Sequence, residues 1–147
     1  MALGRSAAVV IGTFPLGESD SVVTFFSREH GRLRGVARAA RRVRSRFAGS
    51  LELFGHGHLV FFDGGRSELV RIDHFDVTEP FAALREDLDR IAHAAWITEV
   101  VGRLTGERDR QPALYGLLVR SLRAINGPGR AVRVAVCFGA RVLDVLG

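Results

Sequence analysis

At Pro80 the spacing of apolar residues changes from that of strands to that of helices, and this one switch restricts the chain to a β half followed by an α half. Five segments before it read as strands. Ala7 to Phe14 is an almost continuous apolar run ended by Pro15-Leu16-Gly17, the pattern of a strand buried on both faces. Ser21 to Arg28 is rich in Val and Phe, and His30-Gly31 is a hairpin signal in which glycine supplies a positive φ. Residues 32 to 39 then alternate, with Leu33, Gly35, Ala37 and Ala39 on one face and Arg32, Arg34, Val36 and Arg38 on the other. A basic loop covers residues 41 to 50. Leu53 to Phe62 and Leu69 to Val77 are the last two strands, joined by Asp63-Gly64-Gly65-Arg66.

After Pro80, Phe81, Leu84, Leu88, Ile91 and Ala95 recur at helical spacing, with Trp96 and Val100 flanking the stripe. One helix is predicted from the Glu79-Pro80 entry to Thr105-Gly106. A second, from about Ala113 to Ile125, turns Leu114, Leu117, Leu118, Ser121, Leu122 and Ile125 inward and stops at Asn126-Gly127-Pro128-Gly129. A third runs from about Arg130 to Leu146. The chain's 147 residues suit one domain or two small ones. The expectation is an α+β fold: a five-stranded barrel of the OB-fold type over residues 1–79, then a three-helix domain over 80–147. The OB-fold is the small five-stranded barrel whose open face and loops take nucleic acid or oligosaccharide.

The charge points the same way. All 21 basic residues are arginine and the net charge is +5. Eight of them, Arg28, Arg32, Arg34, Arg38, Arg41, Arg42, Arg44 and Arg46, share a 19-residue stretch with one acid, Glu29, so that stretch is +7 and the remainder −2. A basic excess so local is the footprint of a polyanion site, because it repels itself unless a polyanion is present. Two residues along a strand span about 6.6–6.8 Å. Arg32, Arg34 and Arg38 thus form a row able to follow phosphates, and Arg41, Arg42, Arg44 and Arg46 continue it. Phe47 at the loop's far end offers either a base-stacking platform or, the favoured reading, a core anchor.

Arrangements that carry catalysis are missing. There is no glycine-rich phosphate loop and no Gly-x-Ser-x-Gly elbow. Glu86, Asp87 and Asp89 alternate with arginines as on a solvated helix face. His56 and His58 share a strand face near His74, but no cysteine pair or carboxylate cluster joins them, so no metal and no cofactor is expected. Cys137, mid-helix among apolar neighbours, is read as a core residue rather than a nucleophile, and a single cysteine forms no internal disulfide. No apolar run reaches the roughly 20 residues of a membrane span, and Met1-Ala2-Leu3-Gly4-Arg5 does not open a signal peptide. The expectation is a cytoplasmic protein that is not an enzyme and binds no membrane.

Residues 16–62 carry a resemblance. Leu16-Gly17-Glu18-Ser19-Asp20, the series Ser27 to Arg38 with its Gly35-Val36-Ala37-Arg38, and Ser45-Arg46-Phe47-Ala48-Gly49-Ser50-Leu51 resemble the bacterial recombinational DNA-repair mediator family RecO. The likeness continues in Phe81-Ala82-Ala83-Leu84-Arg85-Glu86-Asp87-Leu88. It implies an N-terminal OB-fold and a helical domain. It also implies binding of single- and double-stranded DNA, strand annealing, and partnership with RecR and with the single-stranded DNA-binding protein SSB, so that RecA replaces SSB. Arg34 and Arg38 match the family's DNA-contacting positions best, with the basic loop beside them. The family's Cys-x-x-Cys zinc module has no counterpart here, so zinc is not carried over. Val136 and Cys137 stand where the family often has basic residues, before the phenylalanine matched by Phe138, that help hold the SSB tail. The rival readings are an OB-type RNA-binding module and, from another class, a protein-binding adaptor working through the helical half.

Overall fold

A computed structural model describes residues 2–146; Met1 and Gly147, the outer limits of the two expected domains, lie outside the described residues. Five strands come first: β1 (Ala2–Leu16), β2 (Asp20–Ser27), β3 (Gly31–Ala37), β4 (His56–Asp63) and β5 (Leu69–Glu79). Helical segments follow: α1 (Ala82–Arg85), α2 (Leu88–Leu104), α3 (Pro112–Asn126) and α4 (Ala131–Leu146). The strands close into a barrel in the order β1-β2-β3-β5-β4. Closure needs one long strand that serves two neighbours. Residues 2–9 of β1 pair with β4 and residues 8–16 pair with β2, with a register shift between Val10 and Gly12. The short parallel pairing of Arg34–Val36 with Leu69–Arg71 completes the circuit.

The burial pattern explains the sequence pattern. Along β3 every second residue from Gly31 to Ala37 is buried, while Arg32, Arg34 and Val36 face out. The barrel is filled by Ala8, Val10, Val23, Phe25, Leu33, Leu59, Phe61, Ile72 and Phe75. A second core lies outside the barrel wall, where Val9, Phe26 and Phe54 pack with Leu84, Ile97, Val101, Leu114, Leu118, Leu122 and Phe138. This is why β1 around Val9 and β2 around Phe26 are apolar on both faces: one face fills the barrel and the other seats the helices.

Four expectations need correction. β1 does not end at Pro15, which pairs in register with Ser21. Beyond Val9 no ladder joins β1 to β4, so on that open side the missing proline N–H removes no bond. β3 ends at Ala37, which puts Arg38 in the following turn rather than on the strand, and β4 begins at His56 rather than Leu53. The first helix is broken. Phe81 stands in the left-handed region at φ 58°, and Asp87 restarts the helix as an extended N-cap, its carboxylate accepting from the N–H groups of Asp89 at 2.9 Å and Arg90 at 3.4 Å. The restart rotates the apolar stripe, so Leu88 is 85% exposed, Trp96 is 46% exposed, and Ala94, Ile97 and Val101 do the packing. The second helix buries all six residues its spacing marks, Leu114 to Ile125.

Candidate nucleic-acid interface

The loop between β3 and β4 is a basic platform with a hydrophobic root. Phe47 is 3% exposed and packs into the barrel core with Ala40 and Leu51 alongside, so it is an anchor and not an open stacking surface. Short turns build the segment: the Ser45 hydroxyl accepts from the Phe47 N–H at 3.0 Å, and the Ser50 hydroxyl donates to the Phe47 carbonyl at 2.9 Å. At the loop's start the Asp20 carboxylate accepts from the Ala39 N–H at 2.7 Å, where Ala39 has a φ of 58°. Arg41 is spent on this frame; its guanidinium donates to the carbonyls of Asp20, at 3.0 Å, and Gly17.

Arg38, Arg42, Arg44 and Arg46 are exposed, and among the described residues their side chains have no hydrogen-bond or ion-pair partner. The Arg46 guanidinium rests 4.9 Å from the Phe47 ring centroid, a cation–π placement that leaves its N–H groups facing solvent.

Arg32 and Arg34, at the other end of β3, are differently placed. Arg32 donates to the Thr105 carbonyl at 2.9 Å, its carbonyl accepts from the Arg108 N–H at 2.9 Å, and its buried Nε has no partner among the described residues. The Arg34 guanidinium lies between two carboxylates, 2.6 Å from Glu107 and 3.0 Å from Glu68. The loop from Thr105 to Arg110, joining α2 to α3, is strapped across this end of the barrel. Arg108 bonds Asp63 at 2.6 Å and Arg110 reaches Glu29 at 3.3 Å. The guanidinium of Arg108 holds the Asp63 carboxyl below its usual range. The structure therefore divides the predicted row: Arg38, Arg42, Arg44 and Arg46 stand free together, while Arg32, Arg34 and Arg41 are engaged within the protein. Glu68, Thr105 and Glu107 escaped sequence reasoning because no local pattern links them to β3.

Of the histidines, His56 joins barrel to helix. Its ring contacts Glu79 at 2.8 Å through Nδ1 and the Tyr115 hydroxyl at 2.6 Å through Nε2. The carboxylate can only accept, so Nδ1 donates to it, and in the neutral ring Nε2 is then the acceptor for the tyrosine hydroxyl. Arg123 also donates to Glu79, at 2.6 Å, and this bond more than offsets desolvation, lowering the Glu79 carboxyl to about 2. Burial pushes the Tyr115 phenol up to about 12. His74 is held between Asp73 and Asp76. On the helical side, Leu117, Val134 and Phe138 floor an apolar groove of about 330 Å³ rimmed by Arg120, Arg133 and Arg141; Cys137, expected in the core, is exposed along it.

The description "Recombination protein O N terminal" fits residues 1–81 and "Recombination protein O C terminal" fits residues 85–147. The chain belongs to the RecO family. Its similarity to named members runs along nearly the whole chain. It is 38% identical to the DNA repair protein RecO of Syntrophobacter fumaroxidans over 97% of this chain and 56% of that protein. Identity to the RecO of Symbiobacterium thermophilum is 37% over 100% of this chain and 58% of that protein. For Myxococcus xanthus RecO it is 40%, over 81% and 48%. The chain thus spans about half the length of the RecO proteins it matches.

Proposed function

We propose that this chain is a non-catalytic DNA-binding and strand-annealing unit of a recombination mediator acting in DNA repair, and that it grips the sugar-phosphate backbone chiefly through Arg38, Arg42, Arg44 and Arg46. The observation that carries this reading is the set of four exposed, unpaired guanidinium groups on a loop rooted in the barrel core by Phe47. Guanidinium groups suit phosphate oxygens because their donors match two oxygens at once. A loop held by a buried aromatic presents them with little ordering left to do on binding. Neutralising phosphates on two strands removes the repulsion that slows their pairing, which is how such a surface promotes annealing of single strands and also holds duplex.

In this reading residues 1–79 form the nucleic-acid-binding domain, and residues 80–147 brace it and offer a protein surface. The partners are RecR and SSB, the setting is the cytoplasm, and the outcome is replacement of SSB by RecA. Family membership supports these assignments. The arginine-rimmed groove over Phe138 is the surface this reading offers to SSB, although Val136 and Cys137 stand where the family often has basic residues. The test is a fluorescence-anisotropy titration of the chain with labelled single-stranded DNA across a salt series, alongside annealing of complementary oligonucleotides and competition by RNA. Salt-dependent DNA binding and faster annealing are expected. No binding at low salt by a protein that melts cooperatively would overturn the proposal.

A further inference from the structure

Arg34 holds the position on β3 that most invites a phosphate, yet two carboxylates already fill its donor face, 2.6 Å and 3.0 Å away. They come from separate loops. Glu68 precedes β5 and is 75% exposed at its side chain. Glu107 sits in the strap between α2 and α3, and the strap is fixed in several ways. The bonds of Arg32 to Thr105 and of Arg108 to Asp63 hold its two sides. Gly31 seats its backbone: a side chain at Gly31 would collide with the main chain of Asp109. Arg108 adopts a φ of 57°, a left-handed conformation that a non-glycine residue maintains only where the surroundings impose it. Glu107 is thus delivered to Arg34 by a braced loop, not by chance contact of two mobile surface chains. Beyond the pair lies an open cleft of about 460 Å³, lined by Glu68 and Glu107 with Arg66, Ser67 and Arg108.

We infer that Arg34 is a masked phosphate site: the carboxylates of Glu68 and Glu107 take the place of a DNA phosphate and keep this arginine out of the interface. The inference rests on the DNA-binding reading above and adds to it how the site is regulated. The carboxylates prevail because they are tethered beside Arg34, at an effective concentration that phosphate arriving from solution does not match. Their two negative charges also repel a strand approaching this end of β3. DNA is thereby confined to the loop end, and displacing the carboxylates adds one phosphate contact without any change in the loop.

The test compares wild type with Glu68→Gln/Glu107→Gln in titrations with an oligothymidylate. Glutamine keeps the shape of glutamate but removes its charge and turns one acceptor oxygen into an amide donor. The double variant should bind about three- to tenfold tighter, with the slope of log affinity against log salt steeper by about 0.7, the share of one single-strand phosphate. Adding Arg34→Ala should abolish the gain. Glu68→Gln alone, on an exposed loop, should give part of it and leaves the strap intact, so a folding defect in the double variant does not decide the matter. No gain in either variant, or a gain that survives Arg34→Ala as a plain effect of net charge, would overturn the inference. If Arg38→Ala/Arg42→Ala/Arg44→Ala/Arg46→Ala still removes binding while the glutamine variants gain nothing, the masked site is wrong and the DNA-binding reading stands. If wild-type protein binds no DNA at low salt, both fall together.

Discussion

The two ends of strand β3 carry the same residue type in opposite circumstances. At its N-terminal end Arg32 and Arg34 are locked to the Thr105–Arg110 strap and to Glu68. Past its C-terminal end Arg38, Arg42, Arg44 and Arg46 project from a platform rooted by Phe47. A charge count treats these arginines alike; the structure does not. Cations already paired with carboxylates have little to gain from a phosphate, since an arriving anion must first replace an interaction of comparable strength. The free cations gain the whole of theirs. In the proposed reading, whether a guanidinium has a partner bears more on ligand contact than its position along the strand does.

The contrast is sharpened most by removing the root. Phe47→Ala should cost about 3–5 kcal/mol of stability, the usual penalty for truncating a buried phenylalanine, and should weaken DNA binding as well. Chemical denaturation reads the first and anisotropy the second. A loss of less than about 1 kcal/mol would mean that the platform is not rooted as described.

A smaller effect is expected where helix meets barrel. The Glu79 carboxyl is lowered from 4.5 to about 2, chiefly by its bond from Arg123, with His56 adding to it. A depressed carboxyl contributes stability that is present above its unfolded value and is lost as pH falls through the folded one. Stability should accordingly drop between about pH 4.5 and pH 2, and Glu79→Gln should flatten that limb by on the order of 1 kcal/mol, because solvent screens a group so close to the surface. Melting curves at pH 6 and pH 3 check this, and an unchanged acid limb in the variant would remove Glu79 from the account. The smallest effect belongs to Arg34→Ala alone, which at moderate salt should change DNA affinity by less than about threefold, since a paired surface cation contributes little.

The fold was largely legible because its signals are periodic and local. Leu114, Leu117, Leu118, Leu122 and Ile125 mark the inner face of α3 without help from any other part of the chain. The alternation of Leu33, Gly35 and Ala37 with Arg32 and Arg34 fixed both faces of β3. The break at Asp87 was not legible, since the same residue reads equally well as a solvated helix position or as an N-cap. Leu88 and Ala95, both read as part of the buried stripe, were misplaced as a consequence of it. At the candidate interface the sequence located the cluster but not its division. The carboxylates that engage Arg34 lie 34 and 73 residues away and meet it only where the barrel closes and the loop between α2 and α3 crosses its end.

In the proposed reading the unpaired loop arginines, and not the strand pair, hold the phosphates. A salt-dependent titration with single-stranded DNA of wild type, of the Arg38/Arg42/Arg44/Arg46→Ala variant and of Arg34→Ala tests it directly. Each single-strand phosphate contact contributes about 0.7 to the slope of log affinity against log salt. The loop variant should lose about 2–3 units of that slope while keeping its melting temperature, and Arg34→Ala should lose less than about 0.5. A loop variant with an undiminished slope, or a larger loss in Arg34→Ala than in the loop variant, would contradict the account.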